Sequence, residues 1–447
     1  MFRKKRILDE DAWGFWSFLA KRVVKARFRK VSQEYHKRAL VSLNEREIGV
    51  YIHFPFCKSF CLYCPYFKEL YNEKKFKKYW KALKKEIELV GKLFANAGID
   101  LKITEIHVGG GTPSIAPPEF YSDVLQTLMN YFDVKTHIGI EANPNDLVDE
   151  SYVCSLLEAG VKEISVGVQS FNDEMLKHLG RSHRSKHNEI ALKNVINAGY
   201  DLVNVDLMFL IPGQTIDSWI QDLNKTISFS PHQITAYPTL MTDYCLAGKW
   251  IREGKITQEV EKFKDYVIIT NKILTEAGYK RIRVESWSKK GDYATVNLEM
   301  EGPLFAFGPG AIGFTGAYEY VNVMSVDAYI MNIMNDTLPV FFARDVSFKE
   351  RLFRILASRL FYYGILIESE LEKKVKIRFS DFPMSIKMVL TFLNLLGYIK
   401  KQRGKIVTTE KAFIPMHKMT WAIVLLGPCK IVEKTLKYGD KQEITIP

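Results

Sequence analysis

Three cysteines crowd into eight residues, Cys57-Lys-Ser-Phe-Cys61-Leu-Tyr-Cys64, with the spacing C-x3-C-x2-C. Thiolates gathered in one loop point to metal ligation, because the thiolate is the form that binds metal. A structural zinc ion usually takes four protein ligands, and this loop supplies three. A [4Fe–4S] cluster is normally held by four cysteines, so three would leave one iron open to an outside ligand. Three thiols that are neighbours by coincidence is the remaining reading. Cys154, Cys245 and Cys429 are scattered along the chain. That does not suit a secreted disulfide framework, so a cytoplasmic location is expected. Buried, inert thiols are the expectation for these three, with Cys245 alone placed where a site could use it.

Other reactive residues recur at regular places. After residue 48, short β-rich runs alternate with longer helical stretches. The expected strands are Gly49–Phe54, Ile103–Val108, His137–Glu141, Glu163–Val168, Leu202–Met208 and Gln233–Tyr237. Their apolar runs are continuous, as in parallel strands buried on both faces. Six βα units without an antiparallel interruption predict a partial (β/α)6 barrel. Active residues of such a barrel gather at the strand C-termini. Cys57, Gly109–Gly111, Glu141, Gln169, Asp206 and Tyr237 all fall there. The expected division is a basic, aromatic, helical extension over 1–47, the barrel over 48–280, and a continuation with a glycine-rich loop over 281–340. A small helical, winged-helix-like domain over 341–447 completes it, with a wing turning at Arg403-Gly404.

The cysteine loop and five ordered motifs resemble a known family. The motifs are Tyr51-Ile-His-Phe-Pro-Phe-Cys57, Gly109-Gly-Gly-Thr-Pro-Ser114, Glu141-Ala-Asn-Pro144, Gly167-Val-Gln-Ser-Phe-Asn172 and Asp206-Leu-Met-Phe-Leu-Ile-Pro-Gly-Gln-Thr215. Together they resemble radical S-adenosylmethionine (SAM) enzymes, in the branch of oxygen-independent coproporphyrinogen III oxidase (HemN-like). The resemblance spans about 48–330. It implies a [4Fe–4S] cluster on Cys57, Cys61 and Cys64, with SAM on the open iron. One electron would then cleave SAM to methionine and a 5′-deoxyadenosyl radical, the cofactors carrying the hard chemistry. It implies contacts to SAM from Tyr51, Tyr63, Gly109, Gly110, Gly111, Thr112 and Glu141. It also implies a second SAM near Gln169, Arg181 and Asp206, and an electron donor such as flavodoxin or ferredoxin.

The chain departs from its relatives at two places. Coproporphyrinogen oxidases carry a fourth cysteine where this sequence has Tyr66, which speaks against decarboxylation. Related haem chaperones carry a His-Asn pair followed by Tyr-Trp where this sequence has Val296-Asn-Leu-Glu-Met300. One-carbon transfer from the second SAM to a hydrophobic, lipid-like small molecule is therefore the leading expectation. Tetrapyrrole processing and a haem-carrying role are the alternatives. Phe307-Gly-Pro-Gly-Ala-Ile-Gly313 superficially resembles a dinucleotide motif but lacks its βαβ context; its family position suggests a loop closing over the SAM sites.

The formal net charge is +12, and +8 of it lies in residues 1–40. A uniformly basic nucleic-acid binder is thereby disfavoured. Trp13, Trp16, Ala20 and Val23 follow helical spacing, and Lys21, Lys25 and Arg29 form a basic row. The segment reads as a helix docked on the barrel, as a peripheral contact with an anionic membrane, or as a site for RNA or an acidic protein. No apolar run reaches the ~18 residues of a membrane span.

Overall fold

The computed structural model describes residues 13–43, 45–242, 245–293 and 301–447. Arg3, Lys4, Lys5 and Arg6, and the Val296–Met300 stretch, lie outside the described residues. Six parallel strands run in sequential order: β1 (Glu47–Phe54), β2 (Lys102–Gly110), β3 (Ile138–Ala142), β4 (Val161–Gln169), β5 (Leu202–Phe209) and β6 (Gln233–Pro238). Helices lie between successive strands, as parallel pairing requires. The first of these, Glu73–Asn96, is started by Asn72, whose side chain accepts from the Lys75 amide and satisfies one orphan helix donor. Helices Pro118–Met129, Glu150–Glu158, Ser185–Ala198 and Ile216–Ser228 follow. The strand interiors are almost fully buried, from Ile48, Val50 and Ile52 through Val203, Val205 and Leu207. Their runs of Val and Ile fit a pleated surface covered on both sides.

The barrel does not close on itself. Beyond β6 the sheet continues antiparallel through Ser286–Ser288. Beyond β1 it continues through Leu304–Phe307, which is parallel, and then Ile312–Phe314, Tyr318–Asn322 and Val340–Asp345. The two chain ends complete this edge: Ala26–Arg29 pairs with Val340–Asp345 on one side and with Glu443–Ile446 on the other. The architecture is therefore the expected α/β partial barrel, extended at both edges.

Residues 348–408 form a small unit with its own core, built on Leu352, Leu366, Ile386 and Ile406. Helix Met384–Leu395 precedes a hairpin, Ile399–Gln402 with Lys405–Thr408, that turns at Arg403-Gly404. A π-helical turn, Ser358–Tyr363, leads into it. The chain then returns to the barrel as two helices, Phe413–Leu426 and Pro428–Tyr438, before the last strand. Phe15–Val24 forms a helix that packs along Phe413–Leu426. Trp13 is buried against Phe263, with ring centroids 4.6 Å apart. No described helix is long and apolar enough to cross a membrane.

Candidate functional site

The C-terminal ends of the barrel strands open on a cavity of about 390 Å³. The cysteine loop forms one wall, and its position follows from backbone hydrogen bonds. Gly111 donates to the Phe54 carbonyl at 2.7 Å and Thr112 to Phe56 at 2.8 Å, tying the end of β2 to the start of the loop. Tyr71 donates to the Cys57 carbonyl at 2.9 Å, and Leu62 to Leu179 at 3.1 Å. A Cβ at Gly111 would lie 2.6 Å from the Phe56 oxygen, so the close approach requires glycine. Cys57, Cys61 and Cys64 all line the cavity. Burial pushes the Cys57 thiol up to about 11 and raises Cys64 as well. A metal centre bound there must displace those protons. Among the described residues, no group of three or more His, Cys, Asp and Glu side chains is poised around a single-ion position. Three soft thiolate donors beside a glycine-lined cradle fit an iron–sulfur cluster.

A ring of polar groups faces the loop. The Arg181 guanidinium donates to Cys61 Sγ at 3.4 Å and to the Gly167 carbonyl at 2.9 Å. Burial works against its charge, but Cys61 and Tyr63 outweigh this and hold it protonated. Gln169 ends β4 with φ 66°, a left-handed conformation costing on the order of 1 kcal/mol. The conformation is held by the Tyr237 hydroxyl, which donates to Gln169 Oε1 at 2.9 Å. Asp206 accepts from Ser165 Oγ at 2.8 Å and Asn204 Nδ2 at 2.9 Å. Burial nevertheless lifts its carboxyl to about 6. Burial also opposes the Glu141 charge, yet His107 at 3.5 Å and the Gly110 amide at 3.3 Å keep that carboxyl below its ordinary value. Burial raises the Tyr63 hydroxyl, so it stays protonated.

The structure brings Cys57, Cys61, Cys64, Tyr63, Gly110, Gly111, Thr112, Glu141, Gln169, Arg181 and Asp206 to this one cavity. Tyr51 instead lines a second, mostly apolar chamber of about 310 Å³. Its hydroxyl is 3.0 Å from His53 Nδ1, and His53 Nε2 is 2.9 Å from the Phe67 carbonyl. Burial lowers His53 to about 4, so a neutral imidazole with its proton on Nε2 suits both contacts. Gly109 lines neither chamber; a Cβ there would meet Glu141 Oε1 at 2.9 Å. The two chambers share Tyr66, His107, Gly110, Glu141 and Val424 as walls.

From the glycine-rich loop at 308–313, Gly310 and Ile312 line the second chamber together with Tyr51, Gly110 and Glu141. Gly308 packs on the His53 carbonyl and donates to the buried Glu86 at 2.9 Å, and Gly310 packs on Phe67. The loop therefore packs against the His53 backbone and the Phe67 side chain while also edging the apolar chamber. Cys245 caps a helix, its Sγ accepting from the Gly248 amide at 3.3 Å. Several cavity residues carried no local signal in the sequence. Arg283, Glu285 and Tyr293 come from beyond β6, Tyr362 from the π-helical turn, and Trp421 and Cys429 from the last two helices. Trp421 approaches Tyr237 with centroids 6.5 Å apart.

A six-stranded partial barrel carrying three cysteines after its first strand defines a class, and residues 51–225 match the profile of the Radical SAM superfamily. Residues 51–225 thus carry a Radical SAM domain, and the relatives and the fold that the chain resembles are HemN-like. Its cofactors are accordingly a [4Fe–4S] cluster and SAM. The chain is 28% identical over 311 residues to heme chaperone HemW of Bacillus subtilis, covering 68% of this chain and 80% of that one. It is 26% identical over 303 residues to oxygen-independent coproporphyrinogen III oxidase of Bradyrhizobium diazoefficiens, covering 64% and 66%. Its fold matches coproporphyrinogen III oxidase (HemN) of Escherichia coli with a TM-score of 0.74 at 21% identity, over 89% and 94% of the two chains.

Proposed function

We propose that this chain is a radical SAM enzyme whose substrate is a tetrapyrrole. The observation that carries the reading is the pairing of two chambers. One holds the cysteine loop and the ring of Glu141, Gln169, Arg181 and Asp206; the other is apolar and shares walls with it. A large, flat, largely apolar ligand with polar edges suits such a pair. The named relatives support the tetrapyrrole class. Their names give no support to the expectation of one-carbon transfer to a lipid, and the tetrapyrrole alternative replaces it here.

In this reading Cys57, Cys61 and Cys64 hold the cluster. When bound, the cluster and SAM supply a carbon-centred radical. Gly110, Gly111 and Thr112 offer backbone to the amino-acid end of SAM, and Glu141, kept ionised, pairs with its ammonium or accepts from a ribose hydroxyl. Gln169, Arg181 and Asp206 serve a second SAM. The buried guanidinium of Arg181 binds a carboxylate strongly because little water competes with it. Trp421 and Val424 cover the chamber and exclude water.

A second reading, a haem carrier, is favoured by one observation: several of the most similar relatives are named heme chaperones. Anaerobic reconstitution with reductant, SAM and coproporphyrinogen III separates the two. The enzyme reading expects 5′-deoxyadenosine together with a mass change in the tetrapyrrole. Stoichiometric haem binding without turnover would overturn it in favour of the carrier.

A further inference from the structure

Away from the residues assigned to SAM, the floor of the main chamber carries a polar group that neither the cluster nor SAM accounts for. Arg283 is 3% exposed and Glu285 is 6% exposed, and both line the cavity. Arg283 Nη2 donates to Ser286 Oγ at 3.1 Å and to the Tyr293 carbonyl at 2.9 Å. Its Nη1 touches Asp292 Oδ1 at 2.6 Å, but out of line for a hydrogen bond. Its Nε has no hydrogen-bond partner and lies 3.9 Å from Glu285 Oε1. Glu285 Oε1 accepts from the Tyr362 hydroxyl, and Oε2 has no partner. Burial pushes this carboxyl up to about 7.

Buried polar atoms are almost always paired, so orphans in a cavity wall call for an explanation. Here a cationic donor and a carboxyl oxygen stand unpaired in the same wall. With Glu285 protonated, Asp292 alone balances the Arg283 charge, and the proton on Oε2 has no acceptor within the wall. A ligand carboxylate would accept from both and supply the missing charge.

The group is also tied to the SAM-side polar ring. Ser286 Oγ lies 3.1 Å from Thr235 Oγ1, Thr235 donates to Asn204 at 2.9 Å, and Asn204 donates to Asp206 at 2.9 Å. Two backbone bonds fix its place. Ala236 of β6 donates to the Glu285 carbonyl at 2.8 Å, and Val284 donates to the Tyr362 carbonyl at 2.9 Å. The π-helical turn that delivers Tyr362 is a distortion found frequently at functional sites.

We propose that Arg283 and Glu285 form a carboxylate-binding subsite at the floor of the chamber, which holds an acidic side chain of the substrate. The occupant assigned to it rests on the tetrapyrrole reading above. The subsite orients the macrocycle from the side opposite the cysteine loop.

The test is fluorescence titration of the full-length, reconstituted protein with coproporphyrin III and with its tetramethyl ester, both dispersed in the same detergent. The wild type is expected to bind the acid at least ~10-fold tighter than the ester. Arg283→Gln is expected to erase that preference and leave ester binding unchanged. Glu285→Gln keeps a donor at the same place and is expected to retain the preference within about 3-fold. SAM affinity, measured by equilibrium dialysis, should stay constant in both variants. Equal binding of acid and ester by the wild type overturns the subsite without recourse to any variant. So does an intact preference in Arg283→Gln, or a matching loss of SAM affinity, which would assign the carboxylate to SAM. Failure of the wild type to bind either porphyrin overturns the tetrapyrrole reading itself, and the assigned occupant with it.

Discussion

Arg181 joins the cysteine loop to the barrel: one guanidinium reaches both Cys61 Sγ and the Gly167 carbonyl. Arg181→Met is expected to weaken SAM binding ~10-fold or more, by loss of a buried charge-assisted contact. Equilibrium dialysis reads this, while iron content per chain stays near wild type. Cys61→Ala should instead abolish the cluster's visible absorbance; unchanged iron would sink the ligand assignment. Titration of Glu86 makes a prediction of another kind. Burial lifts its carboxyl to about 7, against Tyr329, Gly308 and Asn322, all of which favour the charge. The folded value lies above the unfolded 4.5, so folding takes up a proton. This contribution is fully present below about pH 4.5 and is lost as pH rises toward 7, at a cost of about 3 kcal/mol. Denaturant midpoints measured from pH 5 to 8 should fall more steeply for wild type than for Glu86→Gln. The ring residues Glu141, Gln169 and Asp206 were legible in the sequence because strand ends and ordered motifs mark them, and Arg181 only through the family resemblance. Arg283 and Glu285 were not, since their partners are remote in sequence and only the fold brings them together.

At the scale of elements, the order of the barrel was legible because continuous apolar runs admit few alternatives. All six expected strands pair in that order. The edges were not. Leu304–Phe307 and Ser286–Ser288 are short, and nothing local says which barrel strand each will flank. The glycine-rich loop packs against His53 and Phe67 and, through Gly310 and Ile312, edges the chamber that Tyr51 and Glu141 also line. The glycines that end β2 approach closely as well, and they approach the cysteine loop itself. Gly111→Ala would set a Cβ 2.6 Å from the Phe56 oxygen and 2.8 Å from the Phe54 oxygen. Neither backbone atom can swing aside, so the strand end must separate from the loop. We expect a loss on the order of 1–3 kcal/mol in stability, together with reduced iron incorporation. Calorimetry with iron analysis checks both; wild-type values in each would show the junction to be more pliable than this.

The charge of the whole molecule lies at two places rather than one. Residues 1–40 carry +8, and residues 347–412, with fourteen Lys and Arg against six Asp and Glu, carry another +8. The remainder of the chain, barrel included, is net acidic. The two basic regions meet, since Trp16 packs on Tyr398 with centroids 5.9 Å apart. The N-terminal helix is also a structural part of the molecule. It covers helix Phe413–Leu426, whose other contacts include the cavity through Trp421. Its faces differ accordingly: Ser17 and Ala20, with Trp13 just ahead of the helix, are buried, whereas Phe15 and Phe18 are 57% and 50% exposed, with Arg22 stacked 4.3 Å above Phe18. Trp13→Ala should therefore cost about 3–5 kcal/mol, the usual loss for a buried aromatic truncated to alanine, and should loosen the helix that carries Trp421. The double change Phe15→Ser with Phe18→Ser should leave stability within about 0.5 kcal/mol, as exposed substitutions do. Thermal unfolding of the two variants side by side decides this, with porphyrin affinity as the second readout. A docked helix expects Trp13→Ala alone to lower both. If the exposed pair destabilises as much as Trp13→Ala, the helix packs through a different face.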